Sequence, residues 1–298
     1  MNDVDVSVIV PHFQQLDQLE NCLASLERQS FPRDRFEIIV ADNETPGGIA
    51  TIAANYPRIR FLVVSERGAA PARNAAMAIA RGRIIAFTDA DCQTAPTWLD
   101  EGVKGLEHAD LVGGSIEVTV RDPENPSPVE SFEKVFAFQQ KDYVNRKGFA
   151  ATANLFATRS AVEATGSFIN GISEDVNWCH RAVALGFHLA FNDKAIIRHP
   201  ARREWSELVR KWDRIINEHW NGAVDWKRGA PESWIALAAL TALSPFVHFM
   251  KVLFSVRLRG LNERAAAISV LMRIRWWRAR RMLGLWTKNT NARLALDV

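Results

Sequence analysis

Residues 4–200 predict an α/β fold, a parallel sheet covered by helices on both faces. Two observations carry this. Short, nearly continuous apolar runs rich in β-branched residues recur at 4–11 (VDVSVIVP), 36–42 (FEIIVAD), 59–65 (IRFLVVS) and 83–89 (RIIAFTD), the texture of strands buried on both faces. Helical patterns at 16–30, 47–56 and 70–80 separate them, and strands joined by helical crossovers run parallel.

Residues 110–120 add a further strand. The stretch RDPENPSP at 121–128 has three prolines in eight residues and reads as a loop or subdomain boundary. A helix at 129–145, a strand at 152–158, a helix at 175–185 and short strands up to His199 follow. This mixed order completes the sheet and roofs a site. From Trp205 onward the pattern is helical.

The 298 residues are 48% hydrophobic and 24% charged, with 16 Gly and 12 Pro, which excludes collagen-like, low-complexity and wholly disordered chains. The net charge of +3 conceals an asymmetry. Residues 1–197 carry 18 Lys+Arg against 26 Asp+Glu, whereas 198–298 carry 19 against 8 and hold eight of the ten tryptophans. A basic C-terminal region of this kind faces an anionic partner, a nucleic acid or a membrane surface. Cys22, Cys92 and Cys179 are far apart, with no spacing suited to zinc, as in a reducing compartment. The opening MNDVDVSVIVPHF has acidic flanks where a signal peptide has basic ones, so the expected location is the cytoplasm.

Residues 234–250 (WIALAALTALSPFVHFM) carry no formal charge over 17 positions, short of the roughly 20 that a spanning helix needs. They suit a segment lying in a membrane surface. Met272, Trp276, Ala279, Leu283 and Trp286 fall on one helical stripe, and Arg273, Arg275, Arg278, Arg280 and Arg281 crowd the remaining surface. That is the pattern of an interfacial anchor, although the same stripe would also pack on the protein's own core.

The sequence TDADC at 88–92 ends the fourth strand with Asp89 and Asp91. Ligands bind at the carboxyl edge of open α/β sheets. Carboxylates one residue apart at a strand end force a turn, which presents one to a hard divalent cation and the other to a hydroxyl. Surface acidic turns also produce this pattern, so its context decides. Pro11, Asp42, Arg73 and Asp89 all fall at ends or flanks of neighbouring parallel elements, near the same edge.

In order, SVIVPHF, EIIVADNET, GAAPARNAAMAIARGRIIAFTDADC and GISEDVNWCHRAVALGF resemble the opening strand, acidic turn, Arg-Asn helix with DxD, and Glu-Asp helix of the family-two inverting glycosyltransferases. The resemblance covers about residues 4–200. It implies a GT-A fold in 1–202, with a nucleotide-binding half at 1–92 and an acceptor half at 93–202; the helical, basic pattern beyond it predicts a membrane-associating region at 203–298.

It also implies roles. Pro11, His12 and Phe13 would line a base pocket, His12 departing from the small or hydroxylated residue of many relatives. Asp42 would accept from uracil or ribose, or alternatively cap a turn. Arg73 would direct its fork to ribose or diphosphate. Asp89 would contact ribose and the metal through water, and Asp91 would ligate Mn2+ or Mg2+, with His199 either completing the shell or structural. Asp175 would be the general base, its proton affinity raised by Glu174, or the pair would simply cap a helix. Arg181 would pair with a carboxylate. Trp205 and Trp212 would line the acceptor site or pack helices. His108, His180, His188, His219 and His248 fit no pattern.

The expected activity is transfer of one sugar from a nucleotide-sugar, UDP-linked, to a saccharide or lipid-linked saccharide at the inner face of the membrane, with no nucleic acid partner. The Gln-x-x-Arg-Trp signature of processive synthases is absent. A sugar-nucleotide nucleotidyltransferase would carry a Gly-rich phosphate loop after the first strand, where PHFQQLDQ has none. A nucleic-acid-binding protein would use the basic, Trp-rich tail, but those aromatics follow helical spacing with Leu and Met.

Overall fold

The computed structural model describes residues 4–223 and 233–294, with side chains through 289. Trp226, one of the eight C-terminal tryptophans, lies outside the described residues. Within them the chain divides into two units, 1–117 with 138–200 and 118–137 with 201–298.

The first unit alternates strand and helix as expected: β1 (Val6–His12), α1 (Leu16–Leu26), β2 (Phe36–Asp42), α2 (Ala50–Asn55), β3 (Arg60–Val63), α3 (Ala69–Ile79) and β4 (Ile84–Thr88). Then come β5 (Gln93–Thr94), α4 (Trp98–Gly105), β6 (Leu111–Thr119), and, after an excursion into the second unit, α6 (Gln140–Lys147), β7 (Asn154–Thr158), α7 (Arg159–Thr165), α8 (Glu174–Ala184) and β8 (Leu189–Pro200). The sheet order is β3-β2-β1-β4-β7-β6-β8-β5. Its first four strands are parallel, and β7 then pairs antiparallel with both β4 and β6. The sheet is therefore mixed, parallel where helical crossovers join strands.

Side chains alternate between two cores, as the period of a strand requires. Val6, Val8 and Val10 meet Leu19 and Leu23 of α1 and Trp98 and Leu99 of α4. Ile9, Ile39 and Phe87 meet Ala70, Ala72 and Ala76 of α3 and Trp178 of α8. The alanines let α3 lie close to the sheet. Gly102 does the same for α4, because a Cβ there would stand 2.1 Å from the Phe156 ring.

The helix expected over 129–145 is two helices. In the second unit α5 (Pro128–Phe136) starts from a capping box, with Ser127 accepting from the Glu130 N–H and Pro128 in the first turn. In the first unit α6 begins at Gln140. Between them Phe138 adopts φ +47°, a left-handed conformation that no glycine or proline announces.

The second unit continues with α9 (Trp205–Ala223), α10 (Ser233–Leu243), α11 (Pro245–Leu253) and α12 (Gly260–Leu294). The expected stripe on α12 differs from the buried one. Ala267, Leu271, Ile274, Ala279 and Met282 are buried, packed with α5, α9 and α10, while Trp276 and Leu283 are exposed. α12 is thus the central helix of its unit. Further exposed apolar surface is formed by Leu240, Leu243, Phe246, Val247 and Phe254, on and just after α10 and α11. Residues 233–253 are long and apolar enough to cross a bilayer by length and composition, but the segment is broken at Ser244–Pro245 into two helices.

Candidate active site

The parallel strands deliver their carboxyl ends to one edge. In the β1–β2 register His12 lies beside Asp42, and His12 Nδ1 is 2.7 Å from Asp42 Oδ1. The Thr45 N–H donates to Asp42 Oδ2 at 3.0 Å, and its hydroxyl donates to Oδ1. Three of the roughly four acceptor sites of a carboxylate are therefore filled from within the chain. His12 and Asp42 are buried, Pro11 half-buried and Phe13 exposed. The neighbouring Asn43 donates to the Val64 and Glu66 carbonyls and accepts from the Gly68 N–H. It ties the acidic turn to the start of α3, a role nothing in its sequence context announces.

Arg73 is not extended towards solvent. It is 3% exposed, and its fork donates to Asp89 Oδ1 at 2.8 Å and to Glu174 Oε1 at 3.1 Å. It thus fastens the end of β4 to the first turn of α8. Burial alone would lower its pKa, but the charges of Asp89 and Glu174, with Asp175 beyond, raise it. Glu174 therefore has its charge matched, which weakens the repulsion it was expected to exert on Asp175. Asp175 Oδ1 accepts the Val176 N–H at 2.8 Å. Among the described residues Arg181 finds no carboxylate: its partners are Asn177 Oδ1 and the carbonyls of Thr165 and Ser167, and burial lowers its pKa.

The third constellation arises from antiparallel pairing. β5 pairs with β8, Gln93 opposite Arg198, so one step outward brings Asp91 and Cys92 to His199. His199 Nε2 is 3.2 Å from Asp91 Oδ2. Its Nδ1 lies 2.7 Å from the Pro200 carbonyl, an acceptor, so Nδ1 carries the hydrogen. Phe138 packs against the ring at a tilt of 46°, 4.5 Å between centroids, which is where the left-handed turn leads. Sequence reasoning missed Phe138.

Asp91, Cys92 and His199 each place a ligand atom within 4.8 Å of the others. Burial first, then the charges of Asp91 and Asp89, push the Cys92 thiol well up. Beside the thiol, the cluster offers one carboxylate oxygen of Asp91 and one imidazole nitrogen of His199. That donor set fits a hard or borderline divalent cation, and a backbone carbonyl on the far nitrogen is the usual support of a metal-binding histidine. All three cysteines are buried free thiols.

In the second unit, Trp205 and Trp212 stack beneath Arg273 and Arg278, at 3.9 and 3.6 Å.

Residues 7–165 match the Glycosyl transferase family 2 family. Glycosyltransferase AglE of Haloferax volcanii is 33% identical over 219 residues, 70% of this chain and 71% of that protein. Mannosyltransferase PcManGT from Pyrobaculum calidifontis, solved with GDP-Man and Mn2+, superposes with a TM-score of 0.59 at 20% identity, covering 96% of this chain and 86% of that one. TarS 1–349 of S. aureus with UDP-GlcNAc gives 0.53 at 17% identity, covering 93% and 92%. At these identities the two structures speak to the fold, which is GT-A. The family match over more than half the chain and the AglE relationship settle the rest: the chain belongs to glycosyl transferase family 2 and is a glycosyltransferase.

Proposed function

We propose that the protein is an inverting, divalent-metal-dependent glycosyltransferase that moves one sugar from a UDP-linked donor to a saccharide carried on a lipid. The observation that supports this most is the Asp91–His199 pair. With its hydrogen on Nδ1, His199 turns a lone pair on Nε2 towards a carboxylate oxygen 3.2 Å away. Two acceptors at that distance repel unless a proton or a cation lies between them. When held by Asp91 and His199, Mn2+ or Mg2+ would neutralise charge developing on the donor diphosphate.

The protein's own groups supply the remainder. Phe13, exposed beside the buried His12–Asp42 pair, is the residue placed to meet the base, with Pro11 behind it. The remaining acceptor site of Asp42 suits the N–H of uracil or a ribose hydroxyl. Arg73 holds Asp89 at the sugar side of the turn and Glu174 beside Asp175. Asp175 takes the proton of the acceptor hydroxyl, whose oxygen bonds to the anomeric carbon as the bond to the diphosphate breaks on the opposite face. One displacement inverts the configuration.

The lipid-linked acceptor follows from the exposed apolar residues of α10 and α11 and the Arg257 and Arg259 that succeed them. An apolar patch beside cations suits an anionic membrane surface, at the inner face of the cell membrane. Because α12 is the core of its unit, removing residues 262–298 would unfold it, and surface substitutions are the cleaner test. The experiment combines Mn2+, a UDP-sugar and anionic vesicles carrying a lipid-linked saccharide. Wild type is expected to float with the vesicles and label the lipid, and chelation to stop labelling but not flotation. Leu243→Gln/Phe246→Gln/Val247→Gln is expected to stay soluble and lose about tenfold or more of both, since each buried side chain contributes about 1.5–3 kcal/mol. Unchanged flotation of that variant would remove the membrane part of the proposal, and labelling without a divalent ion the metal part.

A further inference from the structure

Arg275 and Arg278 of α12 are half-buried, and neither has a carboxylate partner among the described residues. The Nε atoms of Arg275 and Arg278 are inaccessible and have no hydrogen-bond partner, and the indole Nε1 of Trp212 on α9 is in the same condition. These three donors share one neighbourhood: the Arg278 guanidinium lies 3.6 Å over the Trp212 ring, and Arg275 acts electrostatically on Arg278. Asp213, next to Trp212 in sequence, is engaged by Arg281, one turn beyond Arg278. Burial and then Arg275 lower Arg278 to about 9, so it remains charged at neutral pH. His219 on α9 is held below its usual value by burial and then by Arg278, so it adds no positive charge there.

Buried donors are satisfied in nearly all folded proteins, and each exception calls for an explanation. Here the unmatched groups are donors only, and two carry like charges, an arrangement that costs stability until an anion arrives. A cation would not relieve it, and a hydroxyl or an amide would accept a hydrogen bond but leave the like charges unmatched. A phosphoryl group would, because it offers only acceptors, carries negative charge and matches guanidinium geometry.

We propose that Arg275, Arg278 and Trp212 form a phosphoryl-binding subsite within the helical unit, separate from the donor site. The phosphoryl group comes either from a free anion or from the headgroup of a lipid reached beside the exposed faces of α10 and α11.

The test measures the thermal midpoint of the full-length protein with inorganic phosphate, with phosphatidylcholine vesicles containing phosphatidic acid, and with phosphatidylcholine vesicles made equally negative by oleate. Wild type, Arg275→Met/Arg278→Met and the exposed pair Arg273→Met/Arg280→Met are compared. A rise of about 3 °C in wild type and in the exposed-pair variant, absent from the buried-pair variant, supports the subsite. If inorganic phosphate produces it the source is a free anion, and if only phosphatidic acid does, a headgroup. No rise with either, an equal rise with oleate, or an equal loss in the exposed-pair variant would overturn it. Relief of the unmatched charges also predicts that the buried-pair variant melts no lower than wild type without ligand. A variant that melts well below it would show the guanidiniums already satisfied, and would overturn the proposal too. Titration of UDP into the same variants should be unchanged, which keeps this result distinct from failure of the donor site.

Discussion

Asp175→Asn is expected to bind UDP and Mn2+ as wild type does and to lose about a thousandfold in transfer rate. The substitution is nearly isosteric. The amide oxygen can still accept the Val176 N–H that Asp175 Oδ1 accepts now, so the first turn of α8 keeps its geometry. What disappears is a group that can take a proton from the acceptor hydroxyl. The Arg73–Glu174 contact is untouched, so neither α8 nor the end of β4 should shift. Steady-state rates set beside donor affinity separate the two effects: a fall in kcat with unchanged UDP binding is the expected pattern. Wild-type product should carry the anomeric configuration opposite to the donor's, read by NMR. Full activity in the variant, or retained configuration, would remove Asp175 as the base.

Arg73→Met should be the most destabilising single change near the site, by about 3 kcal/mol in denaturant unfolding. The side chain is buried, and its loss leaves Asp89 and Glu174 facing each other without their cation. The figure lies at the low end of the range for broken buried pairs because the Asp89 side chain is 33% exposed. Arg73→Lys should recover only part of the loss, since a single ammonium cannot reproduce a fork that reaches two carboxylates. If Arg73→Met unfolds at the wild-type denaturant midpoint, the clamp between β4 and α8 contributes nothing.

Much of this arrangement is legible in the sequence, and the remainder is obscure for identifiable reasons. FEIIVAD is apolar between Glu37 and Asp42, and the observed β2 has the bounds the pattern predicts, because a short β-branched apolar run suits a buried strand. The parallel order that sets His12 beside Asp42 follows from the intervening helices. The meeting of Asp91 with His199 is different. It depends on β5, a two-residue strand whose QT carries no periodicity, pairing with a partner about a hundred positions away. Arg73 is visible as a basic residue near a helix start, but not as a clamp, because its partner Glu174 arrives from α8, 101 positions later in the chain. Phe138 breaks a continuous helical pattern without glycine or proline, since its ring packs on His199, and tertiary contact outweighs local preference. On α12 two stripes were available, and the burial of Ala267, Leu271 and Ile274 decided between them. Arg275 and Arg278 looked like surface charge for the same reason.

The central claim, a donor diphosphate held through a cation on Asp91, is tested most directly by titrating UDP into wild type and Asp91→Ala with and without Mn2+. The account predicts binding to wild type that requires Mn2+, and a loss of at least about tenfold in Asp91→Ala that added Mn2+ does not restore. UDP binding equally well to both proteins in the presence of a chelator would contradict it.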